Sequence, residues 1–338
     1  MSWSEEQLTS LFNRALDIAA VLSFIIKTFT IYVVIVHTPK KMRHFANLLL
    51  NGFLWNFFVN ILYSFAHMIP MMPAECFQMD GLLRAYFNEE YAGHLFFELL
   101  FFGILNTVVA IVLSFQFRYM DTVHSITFSK RHPAWGYVYS CVFHFVICAV
   151  YRILLDKWRV SVADYPDPGQ IPSTDRLFCY KPYGAEKNLA IFWFFAIILV
   201  GIIVVSFFSA SSFRFLNQKH PGIHENTITL QKRHLRNLLS LTAVPIVFGG
   251  IPLMVDAAAI YFNDHKESRF ISAVCIVILL NHGTLYGITI LLVFKVYRTA
   301  VWLTLLNVKR KIREMANLCC AARCCFVSTS VGASKVFC

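Results

Sequence analysis

Four charged side chains interrupt long apolar stretches of this sequence: Lys27, Glu98, Arg152 and Asp256. A charge at the centre of a helix surrounded by lipid costs about 2.5–3.5 kcal/mol, so such residues usually face a cavity or a partner. We interpret the four as candidates for the wall of a ligand cavity in the extracellular half of the helices, with Lys27 deeper than the other three. Pairing between helices, or extension of Arg152 toward lipid headgroups, is an equally good interpretation.

The pattern of reactive residues favours binding over catalysis. The sequence contains no phosphate-binding glycine loop, no nucleophile elbow and no H-E-x-x-H pair. His144 and His282 have no third ligand at a spacing typical of zinc. We therefore predict that the protein is not an enzyme and needs no cofactor or metal.

The composition indicates that lipid is the solvent of these residues. Hydrophobic residues make up 57% of the 338 residues and charged residues only 14%, whereas soluble domains carry about 25% charged residues. The mean hydropathy is +0.59. The net charge of +11 does not indicate nucleic-acid binding, because the basic residues are confined to short segments between apolar runs.

Seven stretches are long enough to cross a bilayer, which takes about 20 apolar residues. They are residues 15–36, 46–67, 93–115, 135–155, 188–213, 238–262 and 270–294. We predict an all-α membrane protein, a bundle of seven transmembrane helices. Residues 1–14 form a short N-terminal segment, residues 15–298 the membrane domain and residues 299–338 a tail.

The distribution of Lys and Arg predicts the orientation. If the N-terminus is outside, the inner loops and the tail carry nineteen basic but only three acidic residues, and the outer segments are net acidic. Basic residues accumulate on the cytoplasmic side of membrane proteins. We predict an extracellular N-terminus and a cytoplasmic C-terminus, the reverse of insect-type odorant channels.

Three blocks of residues resemble one family along most of the chain. The first runs from Thr38-Pro39-Lys40-Lys41-Met42 to Leu48-Leu49-Leu50-Asn51 and Trp55; the others are Val244-Pro245 with Ile251-Pro252, and His282-Gly283 with Val296-Tyr297-Arg298. In order and spacing they resemble the nematode serpentine chemoreceptors of the Str superfamily, particularly the Srh, Sri and Srd-like classes. Val296 stands where those families have proline.

The resemblance implies a G-protein-coupled receptor in the plasma membrane, in a sensory cilium. Such a receptor detects a small environmental or pheromone-like molecule and activates a heterotrimeric G protein. The chain lacks the Asp-Arg-Tyr and Asn-Pro-x-x-Tyr motifs of rhodopsin-type receptors and has Arg118-Tyr119 and Asn281-His282 at these places. A seven-helix ligand-gated channel or transporter is the alternative.

Residues at the cytoplasmic side and in the sixth span are candidates for signalling. Arg118 and Tyr119, with Lys232, Arg233 and Arg236, are candidates for the G-protein surface, although ordinary positive-inside anchoring predicts the same basic residues. Pro245 and Pro252 remove helix hydrogen bonds. They indicate either a hinge in the sixth span or a permanent kink.

The cysteines divide by compartment under the predicted orientation. Cys76 and Cys179 lie on the oxidising outer side, so they form the candidate disulfide. The tail combines a basic amphipathic segment, suited to the inner leaflet, with Cys319, Cys320, Cys324 and Cys325. These four are candidates for palmitoylation, and a zinc site is the less favoured alternative.

Overall fold

The computed structural model describes residues 5–86, 89–124, 134–171, 176–218, 225–262 and 267–330. The helices are α1 Glu5–His37, α2 Arg43–Ala66, α3 Glu90–Val123, α4 Ala134–Trp158, α5 Ala185–Asn217, α6 Glu225–Pro245, α7 Ile251–Tyr261, α8 Ser268–Val293 and α9 Lys295–Ser330. Within these residues seven spans have the length and composition to cross a membrane. The predicted seven-helix bundle is confirmed.

The helices extend beyond the predicted apolar stretches. The helix α1 begins at Glu5, so much of the predicted N-terminal segment is helical, and Phe12 and Leu16 are buried in the bundle. Asn13 donates a hydrogen bond from Nδ2 to Asp80 Oδ2 at 2.7 Å. A helix satisfies its own backbone in water as well as in lipid, so hydropathy marks the membrane-embedded part and not the helix ends.

The sixth span, Thr227–Tyr261, is built from three parts. Helix α6 ends at Pro245, a π-helical turn covers Ile246–Gly250, and α7 starts at Ile251. Pro245 and Pro252 supply no N–H group, so the regular i→i−4 ladder is interrupted at two places. The π turn absorbs this interruption, as such turns commonly do inside longer helices.

A small antiparallel sheet covers one end of the bundle. Strands β1 Met68–Pro70 and β2 Cys76–Met79 follow α2, and β3 Arg159–Val160 and β4 Leu177–Tyr180 lie between α4 and α5. Their order is β1-β2-β4-β3. Cys76 lies opposite Cys179 in the register. The sequence analysis did not predict this sheet, because strands of two to four residues show no periodicity. We call this end the disulfide end.

The bundle is close-packed inside and apolar outside. On the inside, small residues let helices approach: Gly52 of α2 packs against Ala110 of α3, where a Cβ on the glycine would lie 3.4 Å from Ala110 Cβ. On the outside, Phe24, Phe145 and Phe192 are each more than half exposed. Large apolar side chains on the perimeter of a bundle are expected where lipid replaces water.

Helix α9 follows directly after the seventh span. Phe294 adopts an extended conformation between α8 and α9. Tyr297 is buried, and its hydroxyl lies 2.9 Å from Thr38 Oγ1 at the end of α1. The Val-Tyr-Arg block and the Thr-Pro-Lys block of the sequence therefore meet at the end of the bundle opposite the sheet.

Candidate functional site

A cavity of about 560 Å³ lies midway along the bundle. Its walls come from α3, α5 and the sixth span, and Asn56 of α2 and His282 of α8 close its inner side. Wall residues on the three main helices include Thr107, Ile111, Gly201, Val205, Ile246 and Gly249. We call it the mid-bundle cavity. Its volume is within the range of about 300–1,000 Å³ typical of small-molecule sites.

The walls of the mid-bundle cavity are apolar in chemical character. Three of its hydroxyl groups donate to carbonyls one turn back in their own helices: Thr107 to Gly103 at 2.8 Å, Ser206 to Ile202 at 2.8 Å and Thr242 to Leu238 at 2.9 Å. A hydroxyl that is already bonded to its own backbone has less to offer a polar ligand. The cavity therefore suits a mainly apolar molecule.

The mid-bundle cavity opens at the perimeter of the bundle between α5 and the sixth span. Ile202 and Ser206 of α5, and Ala243 and Ile246 of the sixth span, border the cavity and are also exposed on the outside of the bundle. These positions lie in the middle of their spans. The opening therefore faces the hydrocarbon region of the bilayer.

The π turn forms part of the cavity wall. Pro245, Ile246, Gly249 and Gly250 border the cavity. Gly249 packs against His282, whose ring carbon Cδ2 would lie 3.4 Å from a Cβ at this position. A molecule in the cavity therefore contacts the one part of the sixth span where the α-helical hydrogen bonding is interrupted.

A cluster of polar side chains, which includes Asn56 and His282 of the inner wall, joins three helices. Lys27 of α1 is fully buried, and its ammonium donates to Asn56 Oδ1 at 2.6 Å and to Asn60 Oδ1, both on α2. Asn56 Nδ2 lies 2.8 Å from His282 Nε2 on α8. Asn60 Nδ2 donates to the Leu280 carbonyl at 2.8 Å. We call Lys27, Asn56, Asn60 and His282 the amide–lysine clamp.

The clamp satisfies a buried cation with uncharged oxygens. The Asn56 carbonyl lies 3.4 Å from Lys27 Nζ, so three oxygen atoms surround the three donors of the ammonium. Among the described residues no carboxylate forms an ion pair with Lys27. The position of the Lys27 ammonium is therefore fixed by the oxygen atoms of α2. The side chain of Lys27 does not border the mid-bundle cavity.

The other three charged residues of the spans have different environments. Arg152 Nη1 of α4 lies 2.5 Å from Glu98 Oε1 of α3, and this pair borders none of the cavities described here. Asp256 of α7 accepts a hydrogen bond from Ser272 Oγ of α8 at 2.5 Å. Of the four predicted cavity residues, the structure places Asp256 alone on a cavity wall.

That wall belongs to a second cavity, of about 60 Å³, which lies beneath the sheet. Glu75, in the loop between β1 and β2, shares this wall with Asp256. Lys187 of α5 forms a buried ion pair with Glu75 Oε1 and also donates to the Pro182 carbonyl at 2.9 Å. We call the second cavity the aromatic cavity. Burial raises the pKa of the Glu75 carboxyl to about 7, although the ammonium of Lys187 favours its ionised form.

The candidates for G-protein contact lie at the end opposite the sheet. Arg118 Nη1 lies 3.4 Å from Asp121 Oδ2, one turn further along α3. The ring of Tyr119 is 5.3 Å from that of Phe208 on α5. On α6, Arg233 and Arg236 are exposed and Lys232 is half-buried. The structure thus brings basic side chains of α3 and α6 to the same end of the bundle.

The candidate cysteines fall into two groups. Cys76 and Cys179 are joined by a disulfide, with their Cα atoms 4.1 Å apart. The backbone of Cys319, Cys320, Cys324 and Cys325 lies in α9, and the side chains of these residues lie outside the described part of the chain. Among the described residues, no group of three or more His, Cys, Asp or Glu side chains is arranged to hold a metal ion.

Seven apolar spans around a cavity, with a disulfide-linked cover at one end and basic residues at the other, define a seven-helix membrane protein. The family described as serpentine type 7TM GPCR chemoreceptor Srh matches residues 8–307. The chain therefore belongs to this chemoreceptor family, which is a family of receptors and not of enzymes. A search of curated proteins found no match to the chain.

Sequence reasoning missed several residues that build the site. Glu75 and Lys187 stand 112 positions apart, and neither lies in a recognisable motif. The cavity residues Thr107 and Gly201 are small residues in apolar helices, and nothing in their local sequence distinguishes them. Gly249 was marked by its place in a Gly-Gly pair between Pro245 and Pro252. The one available signal was Asn56 and Asn60, two amides one turn apart on one face of α2.

Proposed function

We propose that this chemoreceptor binds a small, mainly apolar molecule in the mid-bundle cavity and transmits its presence to a heterotrimeric G protein. The observation that carries the proposal is the meeting of this cavity with the π turn of the sixth span. A ligand shifts a conformational equilibrium only by binding one state better than the other. A ligand that touches the π turn discriminates between bent and straight forms of this span.

The proposal places the disulfide end outside the cell and α9 inside. The distribution of Lys and Arg supports this orientation. The disulfide supports it too, because disulfides persist in the oxidising environment outside the cell. A multi-pass protein in this orientation presents Arg118, Arg233 and Arg236 to the cytoplasm. The plasma membrane, and the sensory cilium in particular, is its proposed location.

The sixth span connects the cavity to the proposed G-protein surface. Arg233 and Arg236 lie on α6, about three to four turns before the π turn. The rigid α-helix between these residues and the π turn transmits a bend as a displacement of its end. Arg118 and Tyr119 of α3, with Lys232 of α6, complete the proposed contact surface. Cys319, Cys320, Cys324 and Cys325 are proposed acylation sites that hold α9 at the inner leaflet.

Filling the mid-bundle cavity is expected to weaken the response to apolar ligands. The side chain of Thr107 borders the cavity, so Thr107→Phe places a phenyl ring in it. We expect at least a tenfold rise in half-maximal ligand concentration, which corresponds to about 1.4 kcal/mol. Calcium imaging of cells that express the chain with a promiscuous G protein, challenged with a panel of volatile alkanols and ketones, measures this.

The matched control is Thr289→Phe. Thr289 also donates to a carbonyl one turn back in its helix, at 2.7 Å, but it is half-buried and does not border the cavity. Its response should equal that of the wild type. Equal responses of all three proteins at equal surface expression would place the ligand elsewhere. A ligand-dependent current that persists without G proteins would identify the chain as a channel.

Removing both prolines from the sixth span is expected to uncouple binding from signalling. In Pro245→Ala combined with Pro252→Ala, each new alanine supplies an N–H group, which favours a continuous α-helix over the π turn. We expect at least a fivefold smaller maximal G-protein response, with surface expression unchanged. Pro168→Ala, in the loop before β4, is the control. An unchanged response would show that the bend is permanent and takes no part in signalling.

A further inference from the structure

The proposed function leaves the aromatic cavity beneath the sheet unused. This space of about 60 Å³ is lined by both sheet-forming loops, α3, α4, α5 and α7. Eight of its wall residues are aromatic and buried or half-buried: Phe77, Phe97, Phe101, Tyr151, Trp158, Tyr180, Phe194 and Phe195. Aromatic ring faces carry negative electrostatic potential, so a cage of rings attracts cations.

Two carboxylates, Glu75 and Asp256, also belong to this wall. The Glu75 side chain is 3% exposed; its Oε1 pairs with Lys187, and its Oε2 is buried without a hydrogen-bond partner among the described residues. Asp256 receives its hydrogen bond from Ser272, and no Lys, Arg or His of the described residues forms an ion pair with it. The cavity therefore has two acids and one basic partner.

Lys187 is fully engaged on the Glu75 side of the cavity. Its ammonium bonds to Glu75 and to the Pro182 carbonyl, and it lies 5.3 Å from the ring centroid of Tyr261. A buried charge is costly unless it is paired. Asp256 thus lacks a cationic partner, and Glu75 Oε2 lacks a donor. A single ligand with a positive charge and N–H groups would supply the cationic partner of Asp256 and the hydrogen-bond donor of Glu75 Oε2.

We propose that the aromatic cavity binds a small protonated amine. Its ammonium would sit between Asp256 and Glu75 Oε2, with its methyl groups against the rings of Phe97, Trp158 and Tyr180. A volume of about 60 Å³ limits the ligand to a few carbon atoms, since a single water needs at least about 10–15 Å³ measured in this way. Methylammonium and dimethylammonium meet this limit.

This site is separate from the mid-bundle cavity. Leu253 borders both spaces, so its side chain forms the partition between them. The amine proposal does not depend on the proposed function, because binding in the aromatic cavity is measurable without any signalling response. The two proposals therefore succeed or fail separately.

The test is saturation-transfer NMR on the full-length receptor in detergent, with methylammonium chloride as the probe. We expect transfer to the methyl protons that is competed by dimethylammonium but not by sodium chloride at equal ionic strength or by acetone. Asp256→Asn should weaken binding at least tenfold, and Asp256→Glu should restore part of the affinity. Phe97→Leu should weaken binding without changing the charge of the site.

Glu98→Gln is the matched control. It removes a carboxylate from another spanning helix, but that carboxylate pairs with Arg152 and does not border the aromatic cavity. Binding that is unchanged in Glu98→Gln and lost in Asp256→Asn supports the site. Equal binding of methylammonium to the wild type and Asp256→Asn, or competition by sodium chloride, would overturn it. If Asp256→Asn fails to fold, the decisive variant is Phe97→Leu. Methylammonium binding to Phe97→Leu that equals binding to the wild type would then overturn the proposed site.

Discussion

Gly283→Ala is expected to remove most folded receptor from the cell surface. A Cβ at this position of α8 would collide with Asn56 Oδ1 and would lie 2.6 Å from Lys27 Nζ. Asn56 must then move, and the buried ammonium loses one of its three oxygen partners. Removing a partner from a buried charge costs about 3–5 kcal/mol, a large share of the 5–15 kcal/mol that stabilises a typical folded protein.

The measurement combines surface labelling of an epitope-tagged receptor with its melting temperature in detergent. Gly136→Ala is the control, because Gly136 also lies in a spanning helix but a Cβ there meets Phe117 Cε1 at an ordinary 3.4 Å. We expect a control at or slightly above wild-type stability. A Gly283→Ala variant with wild-type expression and melting temperature would contradict the role assigned to the amide–lysine clamp.

Removing the disulfide is expected to be the second most damaging change. The bond between Cys76 and Cys179 closes a segment with a sequence separation of 103 residues and joins β2 to β4 across the sheet. Loss of a disulfide in a small domain costs about 2–5 kcal/mol. We expect about 2–4 kcal/mol for Cys76→Ser with Cys179→Ser, because the membrane already restricts the unfolded chain.

Thermal unfolding with and without dithiothreitol measures this effect in the wild type. The reductant should lower the wild-type melting temperature and leave the double variant unchanged. Cys141→Ser controls for loss of a thiol, since Cys141 is a free and exposed cysteine of α4. If the reductant shifts the wild type and the double variant equally, the disulfide does not stabilise the cover of the bundle.

The number of spans could be predicted from the sequence, because each span is an apolar stretch long enough to cross a bilayer. The composite sixth span was partly visible, since Pro245 and Pro252 marked two interruptions of the ladder. The length of the helices was not visible: α1 starts at Glu5 because polar residues continue a helix once its core is fixed in the membrane. The sheet was missed because its pairing depends on residues far apart in the chain.

Charge alone did not predict which buried ionisable residues border a cavity. Lys27, Glu98, Arg152 and Asp256 shared one sequence pattern, but their structural environments differ. Arg152 and Glu98 neutralise each other, and Lys27 is satisfied by amides of α2. What separates Asp256 from the others is the position of side chains on five other segments, which no local pattern records. Which side chains pair across the bundle depends on how the helices pack against one another.

Under the proposed function, the lateral opening of the mid-bundle cavity changes the concentration to which the receptor responds. A molecule that passes between Ile202 and Ile246 is drawn from the hydrocarbon phase and not directly from water. Each added methylene favours that phase by about 0.8 kcal/mol, so along a homologous series the aqueous detection threshold falls about fourfold per carbon until the cavity is full. The proposal thus predicts that the bilayer concentrates the ligand before it binds, and that the oil–water partition coefficient of the ligand contributes to the sensitivity of the receptor.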